Sequence, residues 1–450
     1  MLTGLAFMTV FLALLALAIL RHPIFGLYAY LAAFYVHPPS RWWSQNLPDL
    51  RWALLAAVVT LIAVFLHRSK LAIRKPWFAN VPAVLLVAYC ALLWIQNLWA
   101  IDPVAHFDAS VQYTKYIVAF YLIYRILDTP ERLRDFLLLH LGGCAYLGLQ
   151  AYVSRNLTGA RLDGVGGPGI DDANTLGMFL ATGVVAGAAL VLCQKGWRRN
   201  VSFAALALVM NGLVLTGSRG AFLGLLGGGA TVSALHPRHF RLRFLVLAII
   251  AAVGFVAIAS QTFVSRIGSI VAVLERSEEM DASSESRFVL QKAQWQMFLD
   301  FPMGTGHKGF AALSPVYLEE RWLSTSQDGD RIVRARSSHN TLFTTLSEQG
   351  AIGVTLFLLL VGWVFGAALR IYQFRNKASD PTQPVIAAGY CGGIMVVLVA
   401  GFSTDYLMAE VQFWLMAGLV AALQLLREKV GASVSPRPAA ARLRVGMETH

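Results

Sequence analysis

Three residues combine reactive side chains with positions where such side chains are costly. Arg219 lies in Thr216-Gly217-Ser218-Arg219-Gly220, at the turn between two apolar stretches. An arginine held by a tight turn aims a fixed fork of donors at an anion; the alternative is a guanidinium snorkelling to lipid head groups from a helix end. Arg287, in Glu285-Ser286-Arg287-Phe288, opens a segment Arg287–Leu299 whose Phe288, Ala293, Trp295, Met297 and Phe298 suit a helix lying on or near a membrane. His339 lies in Ser337-Ser338-His339-Asn340-Thr341-Leu342, where Ser338 is placed to cap a short helix with His339 in its first turn. An imidazole there can take a proton from a hydroxyl near neutral pH, or serve only as a structural hydrogen-bonding group.

Weaker candidates accompany them. Asp171-Asp172-Ala173-Asn174 precedes an apolar stretch, and Asp172 or Asn174 suits its cap. Ser347-Glu348-Gln349-Gly350 leads straight into another, while Asp405 and Glu410 fall in a short polar turn near the C-terminus, where solvation accounts for them. Gly304, Gly306 and Gly309 spell GxGxxG, but no strand precedes them and no βαβ unit surrounds them, so the dinucleotide reading is rejected. Asp328-Gly329-Asp330 has the spacing of a metal–nucleotide-sugar DxD, but an Asp-Gly turn in a polar loop is far commoner and nucleotide sugars are cytoplasmic, so the turn reading is preferred. HExxH, GxSxG and Walker A patterns are absent. Cys90, Cys144, Cys193 and Cys391 lie in or at the ends of apolar stretches without metal-ligand spacing, which makes them packing residues. No cofactor or metal site is expected.

The elements that position these groups follow from composition. Of 450 residues 57% are hydrophobic and only 14% charged, against roughly 25% charged in a soluble domain. That excludes a disordered chain and an ordinary soluble enzyme. Stretches approaching the about 20 residues that cross a ~30 Å hydrocarbon core recur at Leu2–Leu20, Ile24–Val36, Trp52–Leu66, Val81–Ala100, Val111–Tyr124, Phe136–Val153, Thr175–Cys193, Val201–Thr216, Ala221–Leu235, Phe244–Thr262, Ala351–Leu369, Val385–Phe402 and Val411–Leu426. Lipid leaves backbone groups no partner but one another, so these are helices. The expected fold is an all-α polytopic membrane protein with twelve or thirteen transmembrane helices, the first hairpin being the open point because Arg21-His22-Pro23 suits a turn or a kink. Leu2–Leu20 is expected to be a first span and not a cleaved leader, since no small-residue cleavage site follows it. Gly224 and Gly227-Gly228-Gly229 supply a small-residue face for close helix approach.

The charges are lopsided, 37 basic against 25 acidic, a net +12. Arg68, Lys70, Arg74 and Lys75 fill one connection; Lys195, Arg198 and Arg199 another; Arg238, Arg241 and Arg243 a third; Arg370, Arg375 and Lys377 a fourth; and the C-terminal tail is basic. They alternate with neutral or acidic connections, which places the basic set and the C-terminus in the cytoplasm and makes the excess a record of topology, not of nucleic-acid binding. The long connection 263–338 falls outside and is close to neutral, with nine basic and ten acidic residues. The expected organisation is N-terminal transmembrane helices over 1–262, an external loop containing short helices over 263–338, C-terminal transmembrane helices over 339–426, and a disordered tail over 427–450.

Taken in order, Asp171-Asp172-Ala173-Asn174, Ser218-Arg219-Gly220, Ser286-Arg287-Phe288 with Asp300–Phe310, and His339-Asn340 with Glu348-Gln349-Gly350 resemble the bacterial O-antigen ligase/polymerase family of lipopolysaccharide assembly. That family runs DPN, then SRG after a span, then a long periplasmic loop with R-F and hP-hhG-hG ending in HNxxLxxLxExGxxG. Ala173 stands where proline is usual. The motifs cover roughly 171–402, and it is their order and shared face that is specific. The resemblance implies a GT-C-like fold in the bacterial inner membrane. It implies inverting glycosyl transfer at the periplasmic face, from undecaprenyl-pyrophosphate-linked O-antigen glycan to a sugar hydroxyl of lipid A–core, without metal. On that reading Arg219 and Arg287 neutralise the pyrophosphate, His339 is the base or orienting partner, and Asp172, Asn174 and Glu348 bind or orient substrate. An O-antigen polymerase, a protein O-oligosaccharyltransferase and, from another class, a lipid-linked sugar transporter stay open as alternatives.

Overall fold

A computed structural model describes residues 2–72, 75–154, 162, 164–258, 282–328 and 331–434. Among the described residues the helices are α1 (Leu2–Leu20), α2 (Ile24–Val36), α3 (Trp52–Leu66), α4 (Val81–Gln96), α5 (Pro103–Ile126), α6 (Pro130–Val153), α7 (Ala173–Cys193), α8 (Gly196–Thr216), α9 (Arg219–Leu235), α10 (Arg241–Ile258), α11 (Ala282–Asp300), α12 (Gly309–Tyr317), α13 (Thr341–Phe374), α14 (Thr382–Ala400) and α15 (Glu410–Val434). Every one of the thirteen apolar stretches is helical over most of its described residues; the end of Phe244–Thr262 lies outside them. Of these, α1, α6, α7, α8, α13 and α14 are long and apolar enough to cross a membrane, and α3 and α4 are apolar but shorter. The chain is thus a multi-pass membrane protein. Three of the remaining stretches fall short of that standard for plain reasons. α2 has 13 residues and α9 has 17, while α5 carries Asp108, Lys115 and Arg125. The first hairpin is two helices, with α1 packed on α2, so Arg21-His22-Pro23 is a turn.

α7 and α14 form the centre and are buried over nearly their whole length. The glycine face of α9 lies against α14: a Cβ on Gly224 would reach within 2.7 Å of Val396 O, and one on Gly228 within 2.6 Å of Gly392 O. Close backbone approach replaces the hydrophobic drive that lipid cannot provide. Gly229 faces open space and takes no part. The cysteines are free thiols.

Two ends are chemically distinct. At one, the C-terminus of α9 meets that of α13, where the Arg375 guanidinium donates to Ala234 O and Arg238 N to Asn376 Oδ1 (3.4 Å). There too the Cys193 thiol, closing α7, donates to Thr382 O (3.6 Å). This is the end of Arg238, Arg370, Arg375 and Lys377. The N-termini of α7, α9 and α13, with Asp172, Arg219 and His339, are at the opposite ends of the same helices.

Three expectations need correction. The chain is not purely helical: strands β1 (Ser324–Asp328) and β2 (Arg331–Ala335) pair antiparallel with Asp328 opposite Arg331, two short polar segments that lie after α12, away from the hydrophobic bundle. Gly329 and Asp330 of the DxD candidate lie outside the described residues. The tail does not begin at residue 427, because α15 continues to Val434; residues 435–450 lie outside the described residues. The helix after His339 is capped by Asn340, not Ser338: Asn340 Oδ1 accepts from Leu342 N (2.9 Å) and Phe343 N (3.1 Å), which leaves His339 ahead of the helix.

Candidate active site

α7 begins where Asp172 can cap it. Its Oδ1 accepts from Asn174 N (2.9 Å) and Thr175 N (3.1 Å), satisfying two of the amides that a helix start leaves open. Asn174, the second residue of α7, accepts at Oδ1 from Ser218 Oγ (3.0 Å). Ser218 caps α9 and Arg219 is its first residue, so the SRG turn is bolted to the start of α7. Gly217 ends α8 at φ 60°, and Gly220 is small because Ser403 occupies the space a side chain would need.

The start of α13 is fixed to the turn after α14. Thr341 N donates to Gly401 O (2.7 Å), Asn340 Nδ2 to Phe402 O (3.2 Å) and Tyr406 N to Thr341 Oγ1 (2.9 Å). Tyr406 then reaches back, its hydroxyl donating to Asn174 O (3.0 Å). The N-termini of α7, α9 and α13 are thereby one hydrogen-bonded unit.

α11 brings Arg287. Its buried Gln294 donates to Ser338 Oγ (2.8 Å), locking the helix to the segment before His339. Ser338 Oγ also accepts from Thr344 Oγ1 (2.6 Å) and from Asn340 N (3.3 Å), while Asn340 takes the capping role. Arg287 and His339 are both half-buried and feel each other's charge. Burial first, then Arg336 and Arg287, push the His339 pKa down to about 4, against the opposing pull of Asp172. His339 is therefore neutral at physiological pH, its proton affinity lowered by burial and by the charges of Arg336 and Arg287 and raised by that of Asp172.

Arg336 is the residue that the motifs do not announce. Its backbone N donates to Ser314 Oγ (2.8 Å) and a terminal guanidinium nitrogen to Ser324 Oγ (2.8 Å), while its Nε is buried without a hydrogen-bond partner among the described residues. Ser314 and Ser324 come from α12 and β1, so nothing in local sequence pairs them with position 336.

Glu348 stands apart from this group. It is buried, and its Oε2 lies 3.5 Å from His307 Nδ1. Burial alone would lower the His307 pKa, but Glu348 overrides it and the net shift is upward. Burial and then Glu348 raise the Asp405 carboxyl to about 7. His307 belongs to the glycine-rich loop, whose purpose the structure makes clear. α13 breaks at Gly350 (φ 68°, ψ −164°), which strands the carbonyls of Ser347 and Glu348 and the amide of Ala351. Thr305 N donates to Ser347 O (3.2 Å), Gly306 N to Glu348 O (2.8 Å), and Ala351 N to Pro302 O (2.9 Å). Gly304-Thr305-Gly306 is a splint for a broken helix, not a phosphate cradle.

Sequence motifs therefore collect into two adjoining groups: Asp172, Asn174, Arg219, Arg287 and His339, joined by Arg336; and Glu348, joined by His307 and Asp405. The first places cations around a neutral imidazole, an arrangement suited to an anionic substrate whose reaction requires proton removal nearby. Residues 203–358, from α8 into α13, match the O-antigen ligase family (Wzy_C); they contain Arg219, Arg287, Arg336, His339 and Glu348, whereas Asp172 and Asn174 precede them. Among curated proteins none matches the chain.

Proposed function

We propose, from the match of residues 203–358 to the O-antigen ligase family, that the protein is a membrane glycosyltransferase moving an O-antigen glycan from undecaprenyl pyrophosphate to a sugar hydroxyl of lipid A–core. On this reading the site faces the periplasm, the C-terminus is cytoplasmic, and the membrane is the bacterial inner membrane. The observation that carries it is a pair of hydrogen-bonded links: Ser218, next to Arg219, donates to Asn174 of the helix that Asp172 caps, and Gln294 of the Arg287 helix donates to Ser338, next to His339.

Each group has a defined task. The acceptor oxygen attacks the anomeric carbon on the face opposite the leaving group, the carbon–oxygen bond to pyrophosphate breaks, and configuration inverts. Pyrophosphate leaves as a weak base, so it needs charge neutralisation more than a proton. Arg219, Arg287 and Arg336 supply fixed donors whose contacts strengthen as the negative charge develops, without a metal. The hydroxyl proton passes to His339.

The low basicity of His339 becomes useful here. Arg336 and Arg287 depress it, and a bound pyrophosphate offsets their charge, so His339 becomes a better base only once donor is in place. Idle proton uptake by His339 is thereby disfavoured before the donor arrives. Asp172 orients and supports the imidazolium that forms, while Asn174 keeps Arg219 in register. Glu348 acts at a distance, through the splint that sets the angle of α13.

The test is transfer in vitro from purified undecaprenyl-pyrophosphate glycan, offering lipid A–core, a second donor molecule or a protein as acceptor, with and without a chelator. Product on lipid A–core supports the ligase reading. Product on the second donor makes it a polymerase and product on protein an oligosaccharyltransferase. Transbilayer movement of donor without any transfer makes it a transporter.

A further inference from the structure

α11 is apolar on two opposite faces. One is packed: Leu290, Ala293 and Met297 form a small core with Phe310 and Leu318. The other is bare. Phe288 is 67% exposed, Trp295 49% and Leu299 61%, and with exposed Lys292 between them they make a single stripe at the i, i+4, i+7, i+11 spacing of one helix face. A second apolar face needs a second partner, and the stripe continues directly into one. Past the end of α11, exposed Met303 precedes Gly304, whose carbonyl accepts from Trp99 Nε1 (3.0 Å); Thr305 O accepts from Ile101 N (2.9 Å), and Met303 O from Gln96 Nε2 (3.0 Å). Those three donors lie at the α4–α5 turn. There exposed Leu98 adjoins the exposed apolar face of α4, with Val84, Val87, Trp94 and Ile95.

We propose that the Phe288–Trp295–Leu299 face of α11 is seated in the interfacial layer of the lipid bilayer, continuous with the lipid-facing side of α4. Aromatic and aliphatic side chains enter the head-group boundary, and Lys292 reaches lipid phosphates from among them. A lipid surface is favoured over a protein partner because the loop that follows the stripe is hydrogen-bonded to the end of α4, an apolar helix with its own exposed face of Val84, Val87, Trp94 and Ile95. The seating has a consequence for the site. Arg287 immediately precedes Phe288, so the bilayer holds its guanidinium at head-group level, where the charged part of a lipid-linked substrate lies. That consequence rests on the proposed donor; the seating itself does not.

The experiment labels full-length protein with a nitroxide at Phe288→Cys, Trp295→Cys or Leu299→Cys, with the half-buried Cys90 and Cys193 replaced by alanine. It is reconstituted in nanodiscs of phosphatidylethanolamine and phosphatidylglycerol. Power saturation then compares collisions with oxygen, which concentrates in lipid, and with a water-soluble nickel chelate. The expected result is oxygen accessibility several-fold above nickel at all three positions and the reverse at exposed Ser337→Cys. Nickel-dominated relaxation at 288, 295 and 299 overturns the seating. So does spin–spin broadening that grows with the number of copies per disc, which assigns the face to a second copy of the chain. Quenching by brominated lipid that is lost in Trp295→Phe provides a check free of cysteine replacement, and unchanged quenching there also counts against it. None of these readouts involves glycosyl transfer, so the seating and the enzymatic reading stand or fall separately.

Discussion

A Cβ on Gly304 would lie 2.6 Å from the amide nitrogen of Gly350, and one on Gly350 would lie 2.5 Å from the amide nitrogen of Gly304. The two glycines are back to back, each with positive φ, at 80° and 68°. Alanine at either position pays roughly 1–2 kcal/mol for the left-handed backbone and must also push the splint away from the α13 break. Gly304→Ala and Gly350→Ala should each lower the thermal midpoint of the purified protein by several degrees, with transfer falling alongside. Gly362→Ala, at a helical glycine with nothing within 4 Å, should leave the midpoint unchanged or raise it. Equal midpoints for Gly304→Ala and Gly362→Ala would remove the splint from the account.

Asp172 has two roles that substitution separates. Asparagine caps a helix about as well as aspartate, so Asp172→Asn should keep the α7 start and the midpoint while removing the carboxylate that opposes the depression of His339. Asp172→Ala should lose the cap as well, at a cost of about 1 kcal/mol. Thermal melts beside transfer assays distinguish the two: a large activity loss in Asp172→Asn at unchanged stability assigns the charge a part in the reaction, and full activity there reduces Asp172 to a cap.

Much of this was legible in advance, for reasons that differ by residue. The helices were, because lipid enforces both apolar length and helical backbone: Leu2–Leu20, Ile24–Val36 and Trp52–Leu66 carry the same limits in the sequence and in the structure. The positions of Arg219 and His339 at helix starts were, because polar groups there interrupt the apolar pattern; Arg219 opens α9 and His339 directly precedes the cap of α13. Arg336 was not, since its partners Ser314 and Ser324 meet it only after α12 and the β1–β2 hairpin pack together. His307 was hidden inside a glycine pattern already rejected as a nucleotide motif. The cap at Asn340 was misassigned to Ser338 because both residue types cap helices, and only the contacts of Leu342 N and Phe343 N show which does so.

Glu348 and His307 predict a pH dependence of stability. The His307 pKa is raised in the folded protein, so its contribution is complete below the unfolded value of about 6.5 and fades as pH rises through the folded value. Asp405, raised to about 7, acts in the same direction: the folded protein holds that proton more tightly than the unfolded chain, so stability also falls as pH climbs from about 4 towards 7. Glu348→Gln removes the partner of His307 and should cost about 1.5 kcal/mol at pH 6, the scale of a hydrogen bond to a charged group, with the gap from the native protein closing above pH 8. Melting curves at pH 5.5 to 9 provide the check, and a constant gap across that range would mean that His307 is not charged beside Glu348.

His339 behaves in the opposite sense. Its pKa falls to about 4, so the stability linked to its neutral form is complete above the unfolded value of about 6.5 and is lost as pH falls towards 4. His339→Gln should therefore resist acid unfolding better than the native protein while losing transfer. Arg336→Gln and Arg287→Ala, by removing the cations that depress His339, should both raise its pKa and cut transfer roughly 100-fold or more, the usual effect of deleting a donor aimed at developing charge. Histidine-selective isotope labelling and NMR titration follow the pKa directly, and inorganic pyrophosphate added to the native protein should move it upward as the arginines do when removed. If pyrophosphate leaves His339 unmoved, the coupling between donor binding and base strength is wrong, even where Arg287 and Arg336 prove indispensable for binding.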